Sequence, residues 1–426
     1  MYKFIRHIVL LLLIICLSDC SDDNLDPQSS EYYKIFYGEA DLEAVDFSSK
    51  SEGSGYIILA NSKLGTDSDL YLISTDENGY EENTTLISIP EFYDKGVTLK
   101  ILDNQIYILG TRRLSAESNN YESFLFKISN QLLSENDIIS AENISTLLLT
   151  NASSYAMKMN DFIFLENDSQ IIFGGIVEQD GRINEIVQIY TESQLSTSNE
   201  NTNKINPIKQ FPNNFTFDTT SILKVFTEEE GGIFSTVGQN FAANDSSSSI
   251  PHTMNIRRKV FKNTVSPSGN PIKIYAARDV NLGAALKEKG TSTYFYAGNY
   301  LSNDSLFIIR DILNSSDNPG SIKNSQSIHQ FFIDEGHKVV SMAQKSNKDI
   351  VIATTNSNST TINGLSSLLK FSAAGVEIDN EYIEFQSSNL YNVKKIMVDN
   401  EDKIVILSSL LFENDAKAIG LTKIEF

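Results

Sequence analysis

The chain has 426 residues, with 34 Lys and Arg against 55 Asp and Glu, so its formal net charge is −21. This acid excess argues against nucleic-acid binding, because most of the surface would repel a phosphate backbone. Two Cys and four His are too few for a zinc cluster or a disulfide framework. Hydrophobic content of 41% excludes a disordered chain, and the length implies several domains or one large repeat architecture.

The N-terminus has the layout of a secretory signal. A basic start is followed by an apolar run over residues 8–17, which is too short to span a bilayer and suits the core of a signal peptide. The segment LSDC at 17–20 resembles a bacterial lipobox, in which the signal is cut before a cysteine that is then acylated. The resemblance implies that residues 1–19 are a lipoprotein signal peptide and that Cys20 carries the lipid. The alternative is an ordinary secretion signal with an incidental cysteine.

Residues 20–31 form an acidic, serine-containing tether. Its start, CSDDNLD, resembles the export tag of Bacteroidetes-type surface lipoproteins. The resemblance implies an outer-membrane lipoprotein that faces the cell exterior, and the alternative is that the segment is only a solvated tether. Removal of residues 1–19 takes away two bases and one acid, so the net charge changes from −21 to −22. Cys20 is then the sole cysteine, and several acyl chains on it would give durable anchoring.

Seven short apolar runs recur through the rest of the chain, with a mean spacing of about 58 residues. Each run follows a polar turn and an upstream β-rich run, which is the signal of a β-hairpin. A third run of alternating character follows each hairpin after a loop. We number these units one to seven by the apolar runs that begin at Ile57, Ile106, Ile171, Ile233, Tyr294, Ile350 and Ile404.

This repeat predicts an all-β fold, a β-propeller of seven four-stranded blades, because useful helical periodicity is absent. Weaker fourth runs lie at 85–89, 271–275 and 381–385. Unit seven ends on its third strand, whereas the apolar run at 32–37 has no unit of its own. We therefore predict that this N-terminal strand pairs with the C-terminal blade and closes the ring, so that residues 32–426 form one propeller domain.

Two further observations bear on the fold. Unit one, at 55–80, resembles secreted bacterial propeller repeats through its sequence YIILANSKLGTDSDLYLISTDENGY. The resemblance implies an architecture and carries no activity. A pair of β-sandwiches is the competing fold.

Acids and amides recur in the loops between second and third strands, close to where propellers usually bind ligands. Carboxylate and amide oxygens on one rim suit Ca²⁺ or a cationic or hydroxyl-rich ligand. The alternative is that these residues simply stabilise turns, since no loop has the dense acidic spacing of a calcium site. The rim candidates are Asp67, Asp69, Asp245, Asp304 and Asp415.

Catalytic motifs are absent from the sequence. The histidines that remain after removal of the signal are His252, His329 and His337, and we expect each of them on the surface or in a turn. We therefore predict a non-catalytic binding or assembly module that uses a propeller face, needs no cofactor and has a protein or glycan partner. The alternative is a propeller-fold glycoside hydrolase or polysaccharide lyase that acts on an extracellular glycan. A third possibility is a structural part of an envelope complex.

The lipobox leads to a test of anchoring. Cys20→Ser removes the thiol that would be acylated, so the protein should move from the membrane fraction to the soluble fraction, as measured by fractionation and immunoblotting. Cys16→Ser, which lies inside the apolar run, should leave the protein in the membrane fraction. Retention of the Cys20→Ser variant in membranes would contradict the lipobox.

Overall fold

The structure is a computed structural model that describes most of the chain between Glu31 and Phe426. The described residues are 31–38, 40–50, 54–64, 67–113, 121–135, 138–149, 156–165, 169–179, 182–195, 204–205, 207, 209–212, 219–228, 233–241, 253–260, 271–276, 280–300, 305–312, 322–323, 328–332, 336–356, 366–372, 377–379, 390–412 and 416–426.

Each unit folds as an antiparallel run of strands in which consecutive strands are neighbours, as the hairpin pattern predicts. The strands of units one to three are Asp41–Ser49, Tyr56–Leu64, Asp67–Thr75 and Glu81–Ile87; Tyr93–Leu102, Gln105–Arg113, Glu122–Ser129 and Ser145–Leu149; and Met157–Leu165, Gln170–Gln179, Arg182–Thr191 and Lys209–Pro212. Those of units four to seven are Thr219–Thr227, Ile233–Phe241, Thr253–Val260 and Pro271–Ala276; Val280–Lys287, Thr293–Tyr300, Ser305–Ile312 and Ile328–Phe332; His337–Gln344, Ile350–Asn356, Ser366–Phe371 and Glu377–Asp379; and Leu390–Val398, Ile404–Leu411 and Lys417–Ile424.

The fourth strand beside unit seven comes from the other end of the chain. Tyr32–Phe36 lies antiparallel to Lys417–Ile424, with Tyr32 opposite Lys423 and Phe36 opposite Ile419. Both Tyr32 and Phe36 are buried in a hydrophobic cluster that contains side chains of unit one and of unit seven. The first and last units therefore share a core.

The described strands form six sheets, because units three and four are joined by one parallel residue pair, Ile183 opposite Thr219. Short parallel strands also cross from one unit to the edge of the unit before it. Ile138–Ile139 pairs with unit one, Lys204–Ile205 with unit two and Ile322–Lys323 with unit four. Each covers an otherwise open outer edge.

The core lies between units. Within the described residues there are seven hydrophobic clusters, and each combines side chains from two neighbouring units, the last of them joining unit seven to unit one. Alternation along a strand produces this arrangement. In unit one, Ile57 and Leu59 belong to the cluster shared with unit two, whereas Ile58 and Ala60 belong to the cluster shared with unit seven.

Every first strand contains a β-bulge at the equivalent place, where the register against the second strand slips by one residue. A bulge leaves one residue outside the ladder and bends the strand. The extra residues in units one to seven are Val45, Val97, Asn160, Leu223, Gly283, Val340 and Lys394.

The first, second and third strands of each unit lie where the sequence predicts them. The fourth runs predicted at 85–89 and 271–275 overlap observed strands, whereas 381–385 lies outside the described residues and Glu377–Asp379 pairs in unit six instead. One short α-helix, Asn130–Glu135, was not predicted. Two 3-10 turns, Ala141–Asn143 and Glu192–Gln194, complete the described elements. No helix in the described part of the chain is long and apolar enough to cross a membrane.

The N-terminal strand provides a stability test with an internal control. Phe36 is 4% exposed, whereas Tyr33 on the same strand is 43% exposed. Phe36→Ala should lower the free energy of unfolding in urea by roughly 3–5 kcal/mol, because it leaves a cavity in the cluster shared by units one and seven. Tyr33→Ala should cost only about 0.5 kcal/mol. Equal effects of the two substitutions would show that the strand does not stabilise this core.

Candidate functional site

The first strands line one cavity of about 650 Å³, which we call the bulge cavity. This volume lies within the range of roughly 300–1,000 Å³ that is typical of small-molecule sites. The residue directly after the bulge lines the cavity in every unit. In units one to seven these residues are Asp46, Thr98, Asp161, Lys224, Ala284, Ser341 and Lys395.

Bases outnumber acids in the lining of the bulge cavity. Two carboxylates face four ammonium groups, so the described lining carries a net charge of +2 in a chain of net charge −21. The charged lining residues are Asp46, Asp161, Lys100, Lys224, Lys394 and Lys395.

Asp46 is 4% exposed and fully engaged. Its Oδ1 lies 2.5 Å from the Nζ of Lys395 and accepts a hydrogen bond from the Phe47 N–H at 2.8 Å. Its Oδ2 accepts from the Thr98 hydroxyl at 2.5 Å and from the Leu99 N–H at 2.8 Å. Burial would raise the pKa of Asp46, but the Lys395 ammonium and the hydrogen bonds outweigh it and lower that pKa. Asp46 is therefore held as a carboxylate.

Asp161 has an equivalent role in unit three. It is 2% exposed, its Oδ1 lies 3.1 Å from the Nζ of Lys100, and its Oδ2 accepts from the Val225 N–H at 3.0 Å. Burial would raise its pKa, but the Lys100 and Lys224 ammonium groups and the hydrogen bond to Val225 lower it. Lys100 also donates to the carbonyl of Phe162.

The residues after the bulges connect neighbouring units. Asp46 and Asp161 each accept from a backbone N–H of the next unit, and the Ser341 hydroxyl likewise accepts from the Ile396 N–H at 3.1 Å. In all three cases the donor lies two residues beyond the bulge of its own unit. These side chains therefore hold adjacent first strands together.

A second set of hydrogen bonds ends on the residue just before the bulge. Its N–H donates to a polar side chain of the preceding unit at 2.8–2.9 Å. The pairs are Gly96 with Asn61, Met159 with Ser123, Leu282 with Gln239, Val339 with Asn299, and Ala44 with Ser409. The Ala44–Ser409 bond connects unit seven to unit one.

The lysines of the bulge cavity differ in how they are paired. Lys395 also donates to the carbonyl of Phe47 at 2.8 Å, and Lys394 lies 3.1 Å from the half-exposed carboxylate of Glu43. Within the described residues, the ammonium of Lys224 makes no hydrogen bond and no ion pair.

Among the predicted rim acids, Asp69 is the one whose side chain lies within the described residues. Asp67 and Asp69 lie on the third strand of unit one, and Asp69 pairs in register with Ser62 rather than lining the bulge cavity. The side chain of Asp67 lies outside the described residues, as do three further candidates and the lipidation site: Asp245, Asp304, Asp415 and Cys20.

The predicted calcium site therefore stays a prediction. Among the described residues, no group of three or more His, Cys, Asp or Glu is arranged to hold a metal ion.

The expectation of a surface or turn position is wrong for His337. It begins the first strand of unit six, is 4% exposed, and its Nδ1 lies 2.9 Å from the Thr354 hydroxyl. A hydroxyl on the neighbouring strand lets this histidine be buried in a strand. The backbone of His329 also lies in a strand, and His252 lies outside the described residues.

The residues of the bulge cavity were not singled out from the sequence. A charged residue does recur in the predicted first strands, in LEAVDF, VTLKIL, DFIFL, SILKVF and VKKIMV. These charged residues inside otherwise apolar strands are the sequence feature that could have indicated the bulge cavity.

Comparisons with known proteins bear on the fold. No family model matches the chain, and no curated protein matches it in sequence. Among solved structures, the extracellular domains 1–2 of Drosophila semaphorin 1a match with a TM-score of 0.52 and 10% identity, over 91% of this chain and 87% of that one. That structure is β-propeller-like. The chain has a β-propeller-like fold.

Two further solved structures are similar at lower TM-scores. Sqt1 from Chaetomium thermophilum matches with a TM-score of 0.46 and 10% identity, over 92% of this chain and 100% of that one. The phage phi92 endosialidase matches with a TM-score of 0.46 and 6% identity, over 93% of this chain and 69% of that one.

Two neighbouring lysines of unit seven pair with two acids of unit one, which allows a matched test of the buried ion pair. Asp46→Asn should lower the free energy of unfolding by roughly 1–3 kcal/mol, because it leaves Lys395 without its carboxylate. Glu43→Gln, which removes the more exposed partner of Lys394, should cost about 0.2–1 kcal/mol. Urea unfolding measures both, and an equal or larger loss for Glu43→Gln would contradict the role of Asp46 in joining neighbouring units.

Asp46→Asn should also change how the melting temperature depends on pH. Because the folded pKa of Asp46 lies below its ordinary value of 3.8, its contribution to stability is complete above that value and is lost as the pH falls through the folded pKa. The melting temperature of the wild type should therefore fall more steeply than that of Asp46→Asn on acidification below about pH 4. Parallel curves would contradict the lowered pKa.

Proposed function

We propose that the seven units are the blades of one closed propeller. The seven inter-unit clusters in the described residues support this proposal, because each unit packs against two neighbours and unit seven packs against unit one. The pairing of Tyr32–Phe36 with Lys417–Ile424 and the hydrogen bond from Ala44 to Ser409 also support it.

We further propose that the chain is an outer-membrane lipoprotein, anchored through Cys20, that faces the cell exterior. The resemblance of residues 17–20 to a lipobox and of the following acidic segment to an export tag supports this address. The partner that it meets there is a protein or a glycan.

In this setting, we propose that the propeller is a non-catalytic binding module and that the bulge cavity opens onto its binding face. The observation that carries the proposal is the state of the two described cavity carboxylates. A glycosidase of the usual kind needs a carboxylic acid with a raised pKa and a second carboxylate that is available as base or nucleophile. The pKa values of Asp46 and Asp161 are instead lowered, and both carboxylates are engaged by the next unit.

The remaining lining suits a bound ligand. Apolar residues such as Val45, Val97 and Met342 line the cavity together with residues that carry ammonium and hydroxyl groups. Concave sites of this mixed character bind small molecules through apolar contact and orient them through a few polar groups.

Binding and turnover separate this proposal from the hydrolase or lyase. In affinity electrophoresis, a polysaccharide in the gel should slow the migration of the purified protein. Incubation of the protein with the same polysaccharide should release no more reducing ends or unsaturated products than a heat-denatured control. Product release by the wild type that Asp161→Asn abolishes, with the variant still folded by circular dichroism, would overturn the non-catalytic proposal. Asp103→Asn, at an exposed turn residue outside the cavity lining, is the control.

A further inference from the structure

The bulge cavity has positive charge that its own acids do not neutralise. Lys100 pairs with Asp161, and Lys395 pairs with Asp46. Lys394 pairs with Glu43, which does not line the cavity. This pairing leaves Lys224, which has no hydrogen-bond or ion-pair partner within the described residues.

The charge of Lys224 acts on Lys100 in the same cavity. Burial lowers the pKa of Lys100, Asp161 opposes that effect, and the ammonium groups of Lys224 and Lys395 lower the pKa further. Lys224 also helps to lower the pKa of Asp161. The ammonium groups are therefore close enough to repel one another, and an anion placed among them would relieve the repulsion.

The rest of the lining indicates an organic ligand. The apolar residues Val97, Ile163 and Phe226 are part of the lining, and the volume of about 650 Å³ is larger than a bare inorganic ion needs. A ligand with an apolar or ring-shaped body and one anionic group fits both parts of the lining.

We propose that the bulge cavity binds a small organic oxyanion, whose carboxylate, sulfate or phosphate group contacts Lys224 with Lys100 and Lys395 close by. This inference rests on the proposed binding function and names the ligand class of the same site. A cation is disfavoured, because both described carboxylates of the cavity are already neutralised by lysines.

The charge of the whole chain adds selectivity for size. Acidic surface groups repel large polyanions, which must contact a wide area. Over a distance beyond about 8 Å at physiological ionic strength, that surface charge is largely screened, whereas charges inside a cavity are screened less. A small oxyanion therefore experiences mainly the local charge of the cavity.

Calorimetric titration of the detergent-purified full chain tests this assignment. The probes are glucuronate, inorganic sulfate and glucose, at constant ionic strength and pH. Glucuronate and sulfate should bind with saturation at one site, whereas glucose, which has the same ring without the carboxylate, should bind at least about tenfold more weakly.

Substitutions at one lysine locate the site. Lys224→Met should weaken glucuronate binding by about tenfold or more, and Lys224→Arg should keep it within about threefold of the wild type. Lys338→Met is the matched control, because Lys338 is an exposed lysine on the first strand of unit six and does not line the cavity. Lys224→Gln replaces Lys224→Met if the latter does not fold by circular dichroism.

The outcomes separate this inference from the proposed function. Absence of saturable anion binding, or undiminished binding by the folded neutral variants, would overturn the oxyanion site. Glucose binding as tight as glucuronate binding would also overturn it, while leaving a neutral-glycan binding module in place. Loss of binding with Lys338→Met but not with Lys224→Met would place the anion on the outer surface and overturn the assignment.

Discussion

Burial of both faces of every unit is the constraint on which this structure depends. Ile57 and Ile58 are adjacent on one strand, yet they belong to two different hydrophobic clusters, each shared with a different neighbouring unit. A unit with only one neighbour would expose one of these faces to water. With no disulfide framework to support it, the fold gains its stability from repeated apolar interfaces and from the hydrogen bonds that align them.

The bulges in the first strands determine which side chains line the cavity. Each bulge releases one residue from the ladder and turns the side chain that follows it toward the cavity. Neutral residues at this position, such as Ser341, can link units without placing a charge there. Asp46 and Asp161 make the same kind of link with a carboxylate, which in turn requires a lysine nearby. The charge pattern of the cavity thus follows partly from how the units are joined.

Most strands could be predicted from the sequence, because alternation and turn residues are local signals. The side chains of the cavity could not, for two physical reasons. Leu42 and Ala44 share a cluster with Phe47, so the bulge at Val45 inverts the alternation and turns Asp46 away from that cluster. No glycine or other marker in LEAVDF signals the bulge. In addition, Asp46 lies in unit one and Lys395 in unit seven, so their pairing depends on how these two units pack together.

Acids in predicted loops and acids inside apolar strands carry different information about a site. The recurrence of acids between second and third strands makes Asp69 a ligand candidate, whereas the buried carboxylates Asp46 and Asp161 lie within first strands. Turn-forming Asp is common for local conformational reasons, so its recurrence says little about ligands. A carboxylate inside an apolar strand is costly unless it is paired, and it is therefore more informative.

The pairing of Tyr32–Phe36 with Lys417–Ile424 also sets an order of events during synthesis. Phe36 and its partner Ile419 are separated by more than 380 residues along the chain. Tyr32–Phe36 must therefore wait until Lys417–Ile424 has been synthesised before it can pair. Until then unit one lacks one of its two packing partners, and a contact of such long range forms slowly. Docking of Tyr32–Phe36 is thus tied to the synthesis of unit seven, and a product truncated before unit seven would leave this strand without its partner strand.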